Sequence, residues 1–317
     1  MSARYIVLGS SNMDLISYTP RIPKEGETII GTLFETRFGG KGANQAVMIS
    51  KIVDNPKDVC FISRVGSDDF GKHMISDLNE YGLNTDYVHV TDRCASGVAC
   101  INIDSKGQNN IIVIPGANFT LTKEDVDSCP YLNSKADIPT YLIIQFEIPL
   151  EVNLYALQKA KENGIITIVN PAPAPTIFPL SILPYCDYIC PNETESELIT
   201  GMSIQNKDIS IFKENIKRAA QNILEKGAKN IIVTLGKEGS FFMNDSTSFF
   251  VQSFPVHCVD TVGAGDCFIG SFTYYLSKHY PIDKCILNAN YVASLSVSRS
   301  GAQKSYPVKQ EIDPKYI

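Results

Sequence analysis

Short apolar runs alternate along the chain with longer amphipathic stretches. Tyr5 to Leu8 is the first such run, and it ends in Gly9-Ser10-Ser11-Asn12-Met13-Asp14, which places polar side chains just past a strand's carboxyl end. Val59 to Ile62 is the second, followed by a helix-like stretch from Asp68 to Tyr81 that Gly82 closes. From Tyr141 the alternation becomes regular: strand 141–145, helix 151–162, strand 165–169, strand 187–190, helices around 193–200 and 209–226, and strand 230–235. A run such as Ile165-Ile166-Thr167-Ile168-Val169 needs burial on both faces, and hence a mostly parallel sheet. Gly239–Phe242 and Phe249–Phe254 read as a terminal antiparallel pair, before helices from Asp266 to Lys278 and from Asp283 to Arg299. The tail from Tyr306, with Pro307 and Pro314, reads as short and surface-bound.

Two β-rich segments interrupt this alternation. Arg21 to Phe38 is rich in Thr, Ile and Phe without helical periodicity and suits a pair of short strands; Gly97–Ile103 and Asn110–Ile114 flank a polar turn and read as a hairpin. Paired together they would form a small β-sheet lid, from segments of about 15–38 and 97–115, over the ligand edge of the main sheet. An ordinary surface hairpin is the other reading. With no internal repeat or linker, residues 1–317 are expected to form one domain, an α/β chain of three layers, α/β/α, around a mostly parallel central sheet.

Composition narrows the class of partner. The chain has 317 residues, 20% of them charged, and a net charge of -6 with no lysine-arginine block, which argues against a nucleic-acid surface and for small-molecule partners. No secretory signal and no membrane-length apolar run is visible. Nine cysteines without paired spacing suit reduced, mostly buried thiols and a cytoplasmic default, and the four histidines form no ligand pattern.

The candidate chemistry gathers at Asp260-Thr261-Val262-Gly263-Ala264-Gly265-Asp266, where small residues open an apolar helix. Glycines let successive N–H groups point at one spot, and a helix start adds its positive end, so the stretch suits an anion. A carboxylate at Asp266 among such donors is expected to stay ionised and able to accept a proton. A plain capped helix explains the same heptapeptide equally well. The chain lacks the G-x-x-x-x-G-K-[ST] loop, the dinucleotide fingerprint and the protein-kinase motif set. Asn12 with Asp14, Gly39 to Asn44, Glu147, and Asn192 to Glu195 all follow predicted strands, so a parallel sheet would bring them to one edge.

Taken together, GSSNMD at 9–14, FGGKGANQA at 38–46, IPGAN at 114–118, NPAPA at 170–174, PNETE at 191–195, TLG at 234–236 and DTVGAGD at 260–266 resemble, in order, the motifs of the ribokinase-like (PfkB) family of carbohydrate kinases. The likeness spans nearly the whole chain, and FGGKGANQA and NPAPA are most like its ribose-phosphorylating members. The resemblance implies phosphorylation of the 5-hydroxyl of D-ribose by ATP. Asp266 would be the base, and the backbone of Gly263, Ala264 and Gly265 the anion hole. Asn12, Asp14, Gly40, Lys41, Asn44 and Glu147 would form the ribose shell, and Asn192, Thr234, Gly236, Gly239 and Asn290, with Gly265, the nucleotide side. Glu195 would organise magnesium partly through water. An activating potassium ion is implied at Asp260, Val262, Ser296, Arg299, Gly301 and Ser305, and a homodimer through the lid.

Structural roles compete at several of these positions: loop capping for Asp14, Asp260 and Ser305, a helix-start lysine at Lys41, a surface residue at Glu147, an N-cap at Asn192, and simple packing for Cys267, whose place near a helix start would otherwise lower its pKa. The chain departs from the family pattern at Lys51 to Pro56, where a glycine turn is usual, and at Ser271, where glycine or alanine is. A kinase for another sugar or a nucleoside, and a silent sugar-binding regulator, are the rival readings.

Overall fold

A computed structural model of the chain describes residues 3–317. Strand β1 (Arg4–Leu8) gives way, after Gly9, Ser10 and Ser11, to β2 (Asn12–Tyr18). Strand β3 (Leu33–Gly39) runs through Gly40 into α1 (Lys41–Ile52). Next come β4 (Val59–Gly66), α2 (Asp69–Glu80), β5 (Val88–Thr91) and the hairpin of β6 (Gly97–Ile103) and β7 (Asn109–Ile114). A short α3 (Lys123–Asp127) precedes β8 (Thr140–Ile144), α4 (Leu150–Asn163), β9 (Ile166–Val169) and β10 (Tyr188–Ile189). Helices α5 (Glu193–Thr200) and α6 (Ile209–Glu225) lead to β11 (Asn230–Thr234), β12 (Ser240–Asn244) and β13 (Ser248–Val251). Helices α7 (Ala264–Ser277) and α8 (Ile282–Val297) follow.

Nine strands form the main sheet in the order β13-β12-β11-β10-β9-β8-β1-β4-β5, parallel except where β12 and β13 close it. Strand periodicity sends alternate residues to opposite faces. Ile6, Leu8, Leu142 and Ile144 pack under α4 and α6 against Leu157 and Ile216, while Tyr5, Val7, Tyr141 and Ile143 pack under α1, α7 and α8 against Met48, Phe272 and Val292. Each such buried side chain contributes about 1.5–3 kcal/mol of hydrophobic stabilisation. The expected mostly parallel sheet between two helical layers is what forms.

Strand β1 lies between β4 and β8, so the strand order reverses at its carboxyl end, the place where open α/β sheets bind ligands. Two glycines bring the flanking helices in close. A Cβ at Gly42 would meet the backbone of Gly9 at 2.6 Å, and one at Gly270 would meet Met48 Cβ at 2.8 Å, so α1 lies hard against β1 and α7 hard against α1.

The second sheet has four strands in the order β3-β2-β6-β7. Its first strand was legible only as a polar loop, yet Met13 alternates with Asn12 and Asp14 and packs on Val65 and on Met74 of α2, which turns the segment into a strand. The 21–38 stretch, expected to hold two strands, holds one, because residues 19–32 lack a partner ladder beyond a few turn bonds. Strand β5 was not foreseen. The tail is another correction: Tyr306 and Ile312 are 1% and 3% exposed and belong to the core on the α7 and α8 side.

Candidate active site

The first turn of α1 is set by Gly40, whose φ of 88° and contact with the Ser11 and Asn12 backbone leave no place for a Cβ. Lys41 then stands at the helix start. Its backbone N–H donates to Glu147 Oε2 at 3.0 Å, and the same oxygen accepts from Ser10 Oγ at 2.5 Å. Glu147, reached from the end of β8, therefore ties the β1 loop to α1 and is no free surface residue. Burial pulls the Lys41 ammonium down, but the carboxylates of Asp266, Glu147 and Glu195 outweigh it and hold the lysine above its ordinary value.

Asn12 and Asp14 lie on one face of β2. Asn118, in the IPGAN segment, donates to Asn12 Oδ1 at 2.8 Å and accepts from the Ser11 N–H at 2.9 Å. Asp14 pairs across the sheet with Arg37 and lies over Gly39, where a Cβ would meet its carboxylate at 2.6 Å. Burial, with Glu147 adding repulsion and Arg37 opposing it, pushes the Asp14 carboxyl up to about 7. A loop-capping aspartate would not behave so.

Helix α7 starts at Gly263, in the left-handed region with φ 75°, and the Tyr306 hydroxyl donates to its carbonyl at 3.0 Å. Gly265 needs its missing side chain for no internal reason: its φ is not positive and a Cβ there would meet nothing within 4 Å. The space over the first turn is open. Asp266 lies beneath it, 6% exposed, with Oδ1 accepting from Gln45 Nε2 at 2.8 Å and Oδ2 from Asn44 Nδ2 at 3.0 Å. Burial, with Glu147 adding repulsion, raises its pKa above the ordinary carboxylate value, against the expectation of a carboxylate held ionised by its surroundings, and the Lys41 ammonium and the two amides offset only part of that rise. The donors that favour its ionised form are thus side-chain amides of α1, where the sequence suggested backbone groups. Cys267 packs: it is fully buried and its thiol is pushed up to about 12.

Asn192 and Glu195 form a reciprocal capping box, with Asn192 Oδ1 accepting from the Glu195 N–H at 2.8 Å and Glu195 Oε2 from the Asn192 N–H at 2.9 Å. A β-bridge joins Asn192 to Thr234, so the two stand side by side. Gly236 is open, with φ 53° and nothing within 4 Å of a Cβ. Gly239 and Asn290 are engaged internally: a Cβ at Gly239 would meet the Val251 carbonyl at 2.0 Å, and the Asn290 amide bonds Ser240 and the Gln252 carbonyl.

The segments around 260 and 300 are tied together. Asp260 accepts from the Val262 N–H at 3.0 Å and the Gly301 N–H at 2.9 Å, and its own N–H reaches the Val297 carbonyl. The Ser296 carbonyl accepts from the Arg299 N–H, the Ser305 hydroxyl turns to the Ala302 carbonyl, and the Arg299 guanidinium pairs with Glu311. The Asp260 carboxylate also lies 3.8 Å from the Arg37 guanidinium, so a cationic partner already stands beside the oxygens that an alkali ion would use. Among the described residues no group of three His, Cys, Asp or Glu side chains could hold a metal.

Sequence reading missed Gln45, Gln145, Asn118, Arg37 and Gln303. A signal existed for two of them: Gln45 interrupts a helix face that is otherwise apolar, and Gln145 closes the buried strand run. Gln303 carried none, because its partner Asn44 lies far away in sequence, and Arg37, paired locally with Glu35, gave no sign of its place across from Asp14.

A family model described as pfkB family carbohydrate kinase matches residues 2–309. A deoxyribokinase from Salmonella typhi is 39% identical over 95% of this chain and 94% of its own length. A ribokinase from Mus musculus is 34% identical over 98% of this chain and 94% of its own. The solved structure of Arabidopsis thaliana ribokinase complexed with ribose and ATP is 30% identical, covers 98% of both chains and superposes with a TM-score of 0.87. Together with the open first turn of α7, the buried Asp266 and the polar face of β2, these likenesses place the chain in the pfkB family of carbohydrate kinases.

Proposed function

We propose that the chain is a ribose kinase, moving the γ-phosphoryl group of ATP to the 5-hydroxyl of D-ribose. The observation that carries this reading is the pairing of a buried, doubly hydrogen-bonded Asp266 with a glycine, Gly265, whose missing side chain keeps the helix start open. Asp266 takes the hydroxyl proton as the oxygen attacks. The N–H groups of Gly263 and Gly265 hold the charge that gathers on the transferred group, the interaction expected to dominate phosphoryl transfer, and the Ala264 N–H, which donates to the Thr261 carbonyl at 3.2 Å, joins them when that turn bond opens. Lys41, drawn among Asp266, Glu147 and Glu195, adds a positive charge on the same side.

The sugar is held by Asn12, Asp14, Gly40, Lys41, Asn44 and Glu147, which supply carboxylates and amides for its hydroxyls. Thr234 and Gly236, beside Asn192, face the nucleotide with Gly265; Gly239 and Asn290 shape that side through the protein's own bonds. Glu195 would help to hold a magnesium ion, which would offset phosphate charge, and Asp260, Val262, Ser296, Arg299, Gly301 and Ser305 would offer carbonyl and carboxylate oxygens to a potassium ion. The second sheet acts as a lid within a single domain of residues 1–317, and two copies pair through it. Nine unpaired cysteines, six of them buried, support a reducing, cytoplasmic or nuclear location; among the described residues no helix is long and apolar enough to cross a membrane.

A second reading, with 2-deoxyribose as the preferred sugar, is favoured by the 39% identity to a deoxyribokinase. Ribose, 2-deoxyribose, other pentoses, hexoses and adenosine assayed with magnesium ATP, with and without potassium, separate the readings. Ribose should lead 2-deoxyribose by at least about tenfold in kcat/KM, the worth of one well-made hydroxyl contact. Equal or reversed preference would transfer the assignment to the deoxy sugar, and potassium-independent turnover would remove the cation.

A further inference from the structure

Asp266 is gripped by two arms of side-chain amides, and in the arm through Gln45 each orientation follows from the one before it. At one end the Cys190 carbonyl can only accept, so Asn170 turns its Nδ2 toward it, at 3.2 Å. Asn170 Oδ1 is then left facing Gln45, which must answer with its NH2 group, at 3.1 Å. The second hydrogen of that group goes to Asp266 Oδ1 at 2.8 Å. Gln45 Oε1 faces away and accepts from Gln145 Nε2 at 2.8 Å, so every polar atom of the Gln45 amide is used. Gln45 and Gln145 are both 0% exposed, and Gly9 makes room for the latter, since a Cβ there would meet Gln145 Oε1 at 2.0 Å.

A second arm reaches the other oxygen. Gln303 Nε2 donates to Asn44 Oδ1 at 3.0 Å, which points the Asn44 NH2 at Asp266 Oδ2, again at 3.0 Å. Gln303 is itself held in place because Lys51 Nζ donates to its backbone carbonyl at 2.7 Å and to that of Tyr306 at 2.9 Å. Both arms end in N–H donors. A carboxylate accepts strongly from both; a protonated Asp266 is a poorer acceptor for the amide that faces its O–H oxygen.

We infer that Gln45 and Gln303, oriented by Gln145, Asn170 and Lys51, are positioning residues that lock Asp266 as an anion with its lone pairs directed to the substrate hydroxyl. This rests on Asp266 being the base. The charged and titratable groups that also face it are Lys41 from α1, Glu147 from the β8 loop, Glu195 from α5 and Tyr306 from the C-terminal segment. Lys41 supplies charge; only the amides supply direction.

The experiment compares kcat, sugar KM and the pH dependence of kcat, with ribose and magnesium ATP, for the parent chain and for Gln45→Met, Gln303→Met, Gln145→Met and Asp266→Asn. Methionine keeps the volume and removes the donor. Gln45→Met should lower kcat by about tenfold or more and move the acid limb of the profile up by about one pH unit, because a donor to the ionised form is gone. Sugar KM should stay within about threefold. Gln303→Met should act in the same direction and provides the same readout if the Gln45 variant does not fold. Gln145→Met, which touches no reacting group, should give a smaller shift of the same sign. An acid limb unmoved in both donor variants, or a raised KM at unchanged kcat, overturns the clamp. Asp266→Asn separates the two levels: full turnover in that variant would refute the base itself, whereas its loss with an unmoved limb in Gln45→Met refutes the clamp alone.

Discussion

Asp14, proposed to hold the sugar, is also a residue that the fold leaves at an electrostatic disadvantage. Its carboxyl rises from 3.8 to about 7 because the second sheet buries it beside Glu147, with only Arg37 to compensate. The folded chain therefore holds this proton more tightly than the unfolded chain, and ionising it costs stability that builds from about pH 4 to about pH 7 and is constant above. Asp14→Asn should accordingly gain on the parent in thermal midpoint between pH 4 and pH 8, by about 2 °C or more at the upper end. The same variant should lose the pH dependence of sugar KM that the parent shows, with affinity improving as pH rises through 7 and the carboxylate becomes a full acceptor. Equal midpoints at both pH values would deny the disadvantage. The position of Asp14 was legible in GSSNMD, but its titration was not, since Glu147 and Arg37 come from other strands. Gln45 was legible as a letter in FGGKGANQA and not as a partner, because its geometry depends on Gln145 and Asn170.

Among the elements, α7 was read well and for good reasons. Its start was fixed by glycines and its length by an apolar run that continues to Ser277. Gly265 separates the two descriptions offered for that start. If it is only part of a cap, Gly265→Ala should be harmless or slightly stabilising, since alanine is favoured over glycine inside a helix by about 1 kcal/mol. If phosphoryl oxygens pass over it, the added methyl should leave the thermal midpoint unchanged or higher and lower kcat by about a hundredfold, the scale of a lost anion-hole donor. Undiminished turnover would place the transfer elsewhere. Parallel strands were equally legible, as double-faced apolar runs. What escaped was β2, whose alternating Asn12, Met13 and Asp14 gain strand geometry from β6 and β3, and the tail, whose Tyr306 is buried by α7. Both depend on contacts that sequence order does not show.

At the scale of the molecule, the second sheet leaves one surface without cover. Strand β7 is an edge strand whose Ile111, Ile112, Val113 and Ile114 are all exposed, Ile112 by 63%, and Phe34 on the opposite edge strand is 60% exposed. An apolar edge of this kind invites pairing, which is the support for a homodimer. Sedimentation should find about twice the 34.9 kDa chain mass, and Ile112→Asp should return it to one chain with unchanged circular dichroism. A parent chain that sediments as a monomer at all concentrations would remove the dimer. The architecture as a whole was legible because its layers follow local periodicity. The mutual position of its parts was not, because loops such as 19–32 carry no periodicity to read.

The grip on Asp266 also bears on how the molecule comes into being. Asn44 meets Asp266 across 222 residues of sequence, and Gln303 meets Asn44 across 259. Closing such loops costs entropy that local helices do not incur, and the reward arrives only when both ends are present. A ribosome making this chain completes β1 and α1 early, yet the segment that steadies α1 through Lys51 follows that lysine by 252 residues or more. Completion of the grip on Asp266 is thus a late event in synthesis, and a growing chain whose sheet has already formed does not yet hold that carboxylate from both sides.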